Sequence, residues 1–301
     1  MGRRKKGRAV DGWLIVDKPE GVGSTQVVSR ARWAFEAQKA GHAGTLDPLA
    51  TGLLAIAFGE ATKTVPYAQD GLKTYRFTAR WGRETSSDDR GGEVTETSAA
   101  RPDLTAIEAA LPQFTGEIMQ RPPSVSAIKV DGRRAYDLAR EGAAPDLAAR
   151  PIWIERLALL GAPAPDLAEF EMICGKGGYV RSIARDLGRA LGCLGHVETL
   201  RRVASGGFSL NGAIGWEELE ALRDVPARDG WLLPVEAGLS GLTAMEVSSS
   251  VAERLVHGDA GALPAGPAGE IRYARYADAP VAVYRCGPPH RLLRVFALSQ
   301  D

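Results

Sequence analysis

From Lys73 to Arg83 the side chains alternate without interruption: Tyr75, Phe77, Ala79 and Trp81 share one face, and Thr74, Arg76, Thr78 and Arg80 the other. A two-residue period over this length marks a strand with one buried face, and no helix can satisfy it. Around this strand the apolar runs are short, and glycine or proline stops them. Gly12-Trp-Leu-Ile-Val-Asp-Lys-Pro19 reads as a buried strand ended by proline, Leu53 to Phe58 as another, and strands follow near 151–160 and 168–174. Helical patterns interleave with these runs in no strict strand–helix–strand rhythm. That order favours an α+β fold with a mixed sheet over a doubly wound one.

The helical stretches carry their own punctuation. Ser24 or Thr25 can cap a helix running to about Gln38, with Val27, Val28, Ala31 and Phe35 as its apolar stripe. Residues 104–111 read as a short helix, Arg134 to Arg140 as another, and Glu84 to Glu93 as a hairpin connection. A helix from about Tyr179 to Leu191 buries Val180, Ile183, Ala184, Leu187 and Leu191 and carries Arg181, Arg185 and Arg189 at i, i+4 and i+8 on the opposite face. After Gly238–Thr243 the texture changes to one helix capped near Ser249 and three β-rich runs, Glu270–Tyr276, Pro280–Arg285 and Arg291–Leu298. The expected organisation is a flexible basic arm over 1–10, a large domain over 11–240 and a small, barrel-like β domain over 244–301. A chain of 301 residues suits one large and one small domain.

Lys plus Arg total 37 and Asp plus Glu total 37, so only the distribution of charge is informative. Residues 176–202 hold six basic side chains against Asp186 and Glu198, whereas 217–240 hold six acids against Arg223 and Arg228. The first segment suits a polyanionic ligand, although an ordinary solvated face explains such a stripe equally well. Three cysteines, odd in number and far apart, point to a reducing, cytoplasmic setting rather than a disulfide scaffold. No apolar run approaches the ~18 residues of a membrane span, and no apolar stretch follows the basic N-terminus to make a signal peptide.

The common catalytic machines are missing from the sequence. It has no G-x-S-x-G elbow and no phosphate loop; Gly21-Val-Gly23 lacks the third glycine of a dinucleotide fingerprint. Cys193-Leu-Gly-His196 is half a zinc motif with no second pair nearby, so neither a metal nor a nicotinamide cofactor is expected. The most informative stretch is Gly41-His-Ala-Gly-Thr-Leu-Asp-Pro-Leu-Ala-Thr-Gly52, a glycine-punctuated loop that sets Asp47 before the rigid Pro48 at a strand edge. On spacing alone, Asp47 reads more readily as a turn-capping residue.

That loop closely resembles the catalytic motif of the TruB-type RNA pseudouridine synthases, and further motifs match in order. Trp13 to Pro19 is similar to the family's N-terminal motif, Lys73-Thr-Tyr75 to its tyrosine strand, Gly178 to Gly188 to its basic helix, and Leu200-Arg-Arg202 to the leucine motif after it. The resemblance implies the pseudouridine synthase fold: a mixed, largely antiparallel sheet with flanking helices, a central cleft, and a small C-terminal PUA-like barrel. It also implies isomerisation of a uridine in the T-loop of tRNA, position 55, by a cytoplasmic monomer without cofactor, metal, membrane or guide RNA. By the same resemblance Asp47 is the nucleophile, with attack on the sugar, attack on the base and proton abstraction all open to it. Tyr75 stacks on the base and can serve as general base, Arg181 pairs with Asp47, His42 supports the flipped-out base, and Tyr179 and Leu200 pack on the uracil. Lys18 and Lys129, with Arg121, Arg133 and Arg134, become candidates for phosphate contact, and 121–150 resembles a mobile RNA-binding insert. Two alternatives stand beside this reading, a guide-dependent synthase of the dyskerin type and an RNA-folding chaperone.

Overall fold

The computed structural model describes residues 7–126, 129–130, 133–134 and 147–297. The chain divides into two compact units, one made of Met1–Pro48, Gly52–Gly71 and Ser205–Asp301, the other of Leu49–Thr51 and Leu72–Ala204.

In the first unit the strand Gly12–Lys18 pairs antiparallel with Thr51–Phe58, in register from Gly12↔Phe58 to Lys18↔Gly52. Both are buried nearly end to end, which is why their sequences are continuous apolar runs rather than alternating ones. Trp13 packs on Phe208 with ring centroids 4.9 Å apart, among Ile15, Leu53, Ala55 and Ala57. The helix Ser24–Ala34 departs from the expected one at both ends. Its cap is Gly23, whose N–H donates to Gln26 Oε1 at 2.7 Å, and it stops at Ala34 because Glu36 turns to a positive φ of 52°.

The C-terminal part of this unit forms a four-stranded sheet in the order Thr243–Glu246, Ile271–Tyr276, Ala279–Arg285 and Arg291–Val295. The first pair runs parallel and the others antiparallel. One face takes the helix Ser249–Val256 through Ala252 and Leu255; the other places Tyr273, Val283 and Phe296 on Leu239 and Tyr67. Ser248 caps that helix, one residue from the expected Ser249, by accepting from Val251 N–H at 3.4 Å. The strand Thr243–Glu246 was not expected, because it is mostly exposed and has no apolar alternation.

The second unit orders its strands Gly195–Ser205, Lys73–Trp81, Leu167–Cys174, Arg150–Ala164 and Gly116–Gln120. The pairings among the last four are antiparallel, with Phe77↔Phe170 and Tyr75↔Met172 facing. Phe77 stacks on Phe170 at 5.2 Å, and Trp81 meets the same ring edge-on at 6.2 Å. The helix Val180–Ala190 approaches the strand after it at Gly188, where a Cβ would lie 2.4 Å from the Gly195 nitrogen. Lys129–Val130 and Arg133–Arg134 pair as a short ladder, so Arg134 begins in extended backbone rather than in the expected helix. The rest of that expected helix lies outside the described residues.

Candidate active site

The Asp47 loop is held from three sides within the first unit. Its entry continues the Ala40–His42 strand, with His42 opposite Ile56 and Ala43 N–H donating to Ala55 O at 2.9 Å. Ser24, freed from capping duty, is buried against the loop: its hydroxyl donates to Leu46 O and accepts from Leu46 N–H, both at 2.8 Å. On the far side of Asp47, Pro48 O accepts from Gly21 N–H at 2.8 Å and from Lys18 Nζ at 3.2 Å. Gly44 and Gly52 take φ values of 99° and 96°, which a side chain would strain. Asp47 therefore lies half-buried between two residues whose backbone is clamped, and His42 is half-buried in the adjoining strand.

Lys18 departs from the expectation of a phosphate contact. Its side chain is fully buried, and Nζ donates to Pro19 O at 2.9 Å, Val22 O at 2.7 Å and Pro48 O at 3.2 Å. These bonds to three carbonyls make Lys18 a buttress of the loop. Lys129 forms part of a backbone ladder, and its side chain lies outside the described residues.

In the second unit, Tyr75 breaks from its own stripe: Phe77, Ala79 and Trp81 are buried, whereas Tyr75 is only half-buried. Tyr179 caps the helix Val180–Ala190 and is gripped by Gln120, whose Oε1 accepts from Tyr179 N–H at 2.8 Å and whose Nε2 donates to Tyr179 O at 3.0 Å. Arg150 stands opposite Gln120 in the ladder and lies over the Tyr179 ring at 5.5 Å. Leu200 is buried on the strand Gly195–Ser205.

Two of the three arginines of the basic stripe are buried rather than solvated, and only Arg189 stays exposed. Arg181 and Arg185 are buried, 3% and 7% exposed. Arg181 donates to Ser87 O and Val125 O, both at 2.9 Å, and its Nε stands 3.9 Å from Asp89 Oδ2. Arg185 pairs with Asp88 at 2.7 Å and with Asp186 at 2.8 Å; Arg189 takes Glu84 through two bonds of 2.5 and 2.7 Å. The helix thus grips the strand Arg83–Thr85 and the loop after it through three guanidiniums in succession. Burial pushes the Asp88 carboxyl up to about 6, with Arg185 and Arg181 holding it back from a larger rise. Glu84, Asp88, Asp89 and Gln120 were missed by sequence reasoning. The available signal was an acidic cluster facing basic residues spaced by one helical turn.

Among the described residues no group of three or more His, Cys, Asp or Glu side chains is placed to hold a metal. Cys193 Sγ donates to Gly188 O at 3.6 Å and His196 Nδ1 contacts Arg83 O at 3.0 Å, so that pair closes the helix end. No described helix is long and apolar enough to cross a membrane.

Comparison with solved structures defines the class first. A chain of a Cbf5–Nop10–Gar1 complex superposes with a TM-score of 0.72 at 23% identity, covering 95% of this chain and 85% of that one. A chain of an H/ACA ribonucleoprotein bound to a substrate RNA containing 2′-deoxyuridine does so at 0.74 and 20% identity, covering 100% and 92%. The fold is thus the α+β pseudouridine synthase fold. The particular family follows from sequence. Residues 32–180 match the TruB family pseudouridylate synthase N-terminal domain, and 181–240 the tRNA pseudouridylate synthase B C-terminal domain. The tRNA pseudouridine synthase B of Dinoroseobacter shibae is 56% identical over 294 residues, 96% of this chain and 97% of its own length. That of Paracoccus denitrificans is 60% identical over 258 residues, 86% of each. This chain belongs to the TruB family of pseudouridine synthases.

Proposed function

We propose that this chain isomerises the uridine at position 55, in the T-loop of tRNA, to pseudouridine, with Asp47 as nucleophile. The observation that carries the reading is the loop itself: a carboxylate between Leu46, held by the buried Ser24 hydroxyl, and Pro48, held by the buried Lys18 ammonium. In the reaction the bond from the ribose anomeric carbon to N1 breaks, the uracil turns, and a bond to C5 replaces it. The C5 proton leaves and N1 gains one, so the product is an isomer and no co-substrate is consumed. Bond breaking builds oxocarbenium-like charge on the sugar, which a fixed carboxylate stabilises or traps. Preorganisation of this kind is the chief catalytic lever of such a site.

The remaining roles belong to the same proposal. Arg181 orients the Asp47 carboxylate, Tyr75 stacks on the uracil and serves as late base, and Tyr179 and Leu200 pack around it. A stacked uridine must be extruded first, at about a few kcal/mol, and His42 supports the flipped-out arrangement. The segment 244–301 acts as a PUA-like RNA-binding module. The enzyme works as a cytoplasmic monomer without guide RNA.

The test is tritium release from unmodified tRNA carrying uridine tritiated at C5, with purified protein and no added RNA, beside Asp47→Asn. Release by the wild type alone is the expected result, with the variant binding tRNA within about tenfold. Comparable turnover by Asp47→Asn overturns the nucleophile assignment. No release by either protein, with tRNA still bound, favours a folding chaperone or a guide-dependent enzyme.

A further inference from the structure

Asp88 has two properties that rarely coincide. Its backbone lies in the left-handed region, with φ of 61°, and its side chain makes a buried ion pair with Arg185 at 2.7 Å. Left-handed backbone at a residue with a Cβ is uncommon, and Asp and Asn are among the few types that adopt it readily. The reversal at Asp88 has a geometric product. The residue before it gives its carbonyl to Arg181 Nη1 at 2.9 Å, and the residue after it holds its carboxylate 3.9 Å from Arg181 Nε.

We propose that Asp88 is a positioning residue for Arg181: anchored on Arg185, it sets the Ser87 carbonyl and the Asp89 carboxylate against the Arg181 guanidinium. The inference rests on the reading that Arg181 serves the reaction. Arg185 lies one helical turn beyond Arg181 on the same stripe, so a loop fixed to the second arginine is in register with the first. The anchoring is mutual, because Asp88 O accepts from Val197 N–H at 3.0 Å and Arg90 N–H donates to Val197 O at 2.9 Å. Arg185 Nη2 also donates to Arg121 O at 2.8 Å, and Ser182 Oγ donates to the same carbonyl at 2.8 Å. Arg181 Nη2 reaches Val125 O, so the segment 121–125 is the other wall of the same clamp.

The pair also gives the clamp a handle in pH. The charged groups facing Asp88 are Arg185 and Arg181, which favour its ionised form, and Asp186, which opposes it. As pH falls through about 6 the carboxylate takes a proton and its charge pair with Arg185 is lost.

The experiment measures single-turnover tritium release, tRNA affinity and melting for Asp88→Asn, Asp88→Ala, Arg185→Met and Arg181→Lys between pH 5 and 8. Asp88→Asn tolerates the left-handed backbone while losing the charge; Asp88→Ala loses both. At pH 8 the expected result is a rate about 10- to 100-fold lower for Asp88→Ala and Arg185→Met, with tRNA affinity within about threefold. The fall in wild-type rate below pH 6 should be absent from the Asp88→Asn profile. A purely structural pair would lower the melting temperature and leave both the bound-state rate and its pH profile in place. Rates within about twofold of wild type for Asp88→Ala and Arg185→Met, with Arg181→Lys slow, overturn the link alone. A normal Arg181→Lys removes the role of Arg181 and the inference with it. Should Asp88→Ala not fold, Asp88→Asn and Arg185→Met decide by the same criterion.

Discussion

Replacing Lys18 by methionine keeps an unbranched side chain one atom shorter and removes three donors at once. Pro48 O retains the Gly21 N–H, whereas the carbonyls of Pro19 and Val22 lose their bonds from Nζ. A carbonyl left without a donor costs about 1–3 kcal/mol. Both residues are half-buried, so water can partly replace the ammonium and the lower end of that range applies. The expected loss is about 2–3 kcal/mol, or a melting temperature lower by about 3–5 °C. Activity should fall further than stability alone dictates, because Lys18 joins the segment after Gly12–Lys18 to the residue next to Asp47. Single-turnover tritium release at 20 °C, where the variant remains folded, should drop at least about tenfold with tRNA affinity nearly unchanged. Lys18→Arg should not rescue it, since a planar fork cannot aim three donors at converging carbonyls. A Lys18→Met protein that melts within about 1 °C of wild type and turns over at a normal rate would refute the buttress.

Two further outcomes are expected. Gly188→Ala should destabilise the protein by about 3 kcal/mol in urea unfolding, because its Cβ meets only backbone, at 2.4 Å from Gly195 N and 2.5 Å from Leu194 C; a loss under about 1 kcal/mol would mean the helix can shift. The stability difference between wild type and Asp88→Asn should depend on pH. The carboxyl is raised from 3.8 in the unfolded chain to about 6 in the fold, so its favourable contribution is complete below 3.8 and disappears as pH rises through 6. Melting curves should show wild type losing ground to Asp88→Asn over that window, and a constant difference would contradict the burial.

Much of the frame was legible because its signals are local. The alternation at Lys73–Trp81 and the apolar run at Gly12–Lys18 each announce their own burial, one with one face covered and the other with two. The loop around Asp47 was legible as punctuation. What holds it was not, because Ser24 and Leu46 are 22 residues apart and a serine at a helix start reads as a cap. Gly23 takes that position through Gln26, which leaves the hydroxyl for a tertiary bond. Lys18 was misread for a related reason: a lysine before a proline looks solvent-facing until its carbonyl partners are known. The arginine stripe showed its spacing but not its partners, since a helical repeat of charge is the same whether its counterions lie in solution or in a neighbouring loop. The strand Thr243–Glu246 carries no pattern because it is an exposed edge, defined by its pairing with Ile271–Tyr276.

The pairing of Arg181, Arg185 and Arg189 with Asp89, Asp88 and Glu84 bears on how salt should act on this protein. Each phosphate contact made by a free cation expels about one condensed ion from the nucleic acid, and adds nearly one unit to the slope of log affinity against log salt. A guanidinium already matched to a fixed carboxylate contributes little to that exchange. This arginine helix should therefore be almost silent in a salt titration, and the steepness of tRNA binding will report on cations elsewhere on the surface.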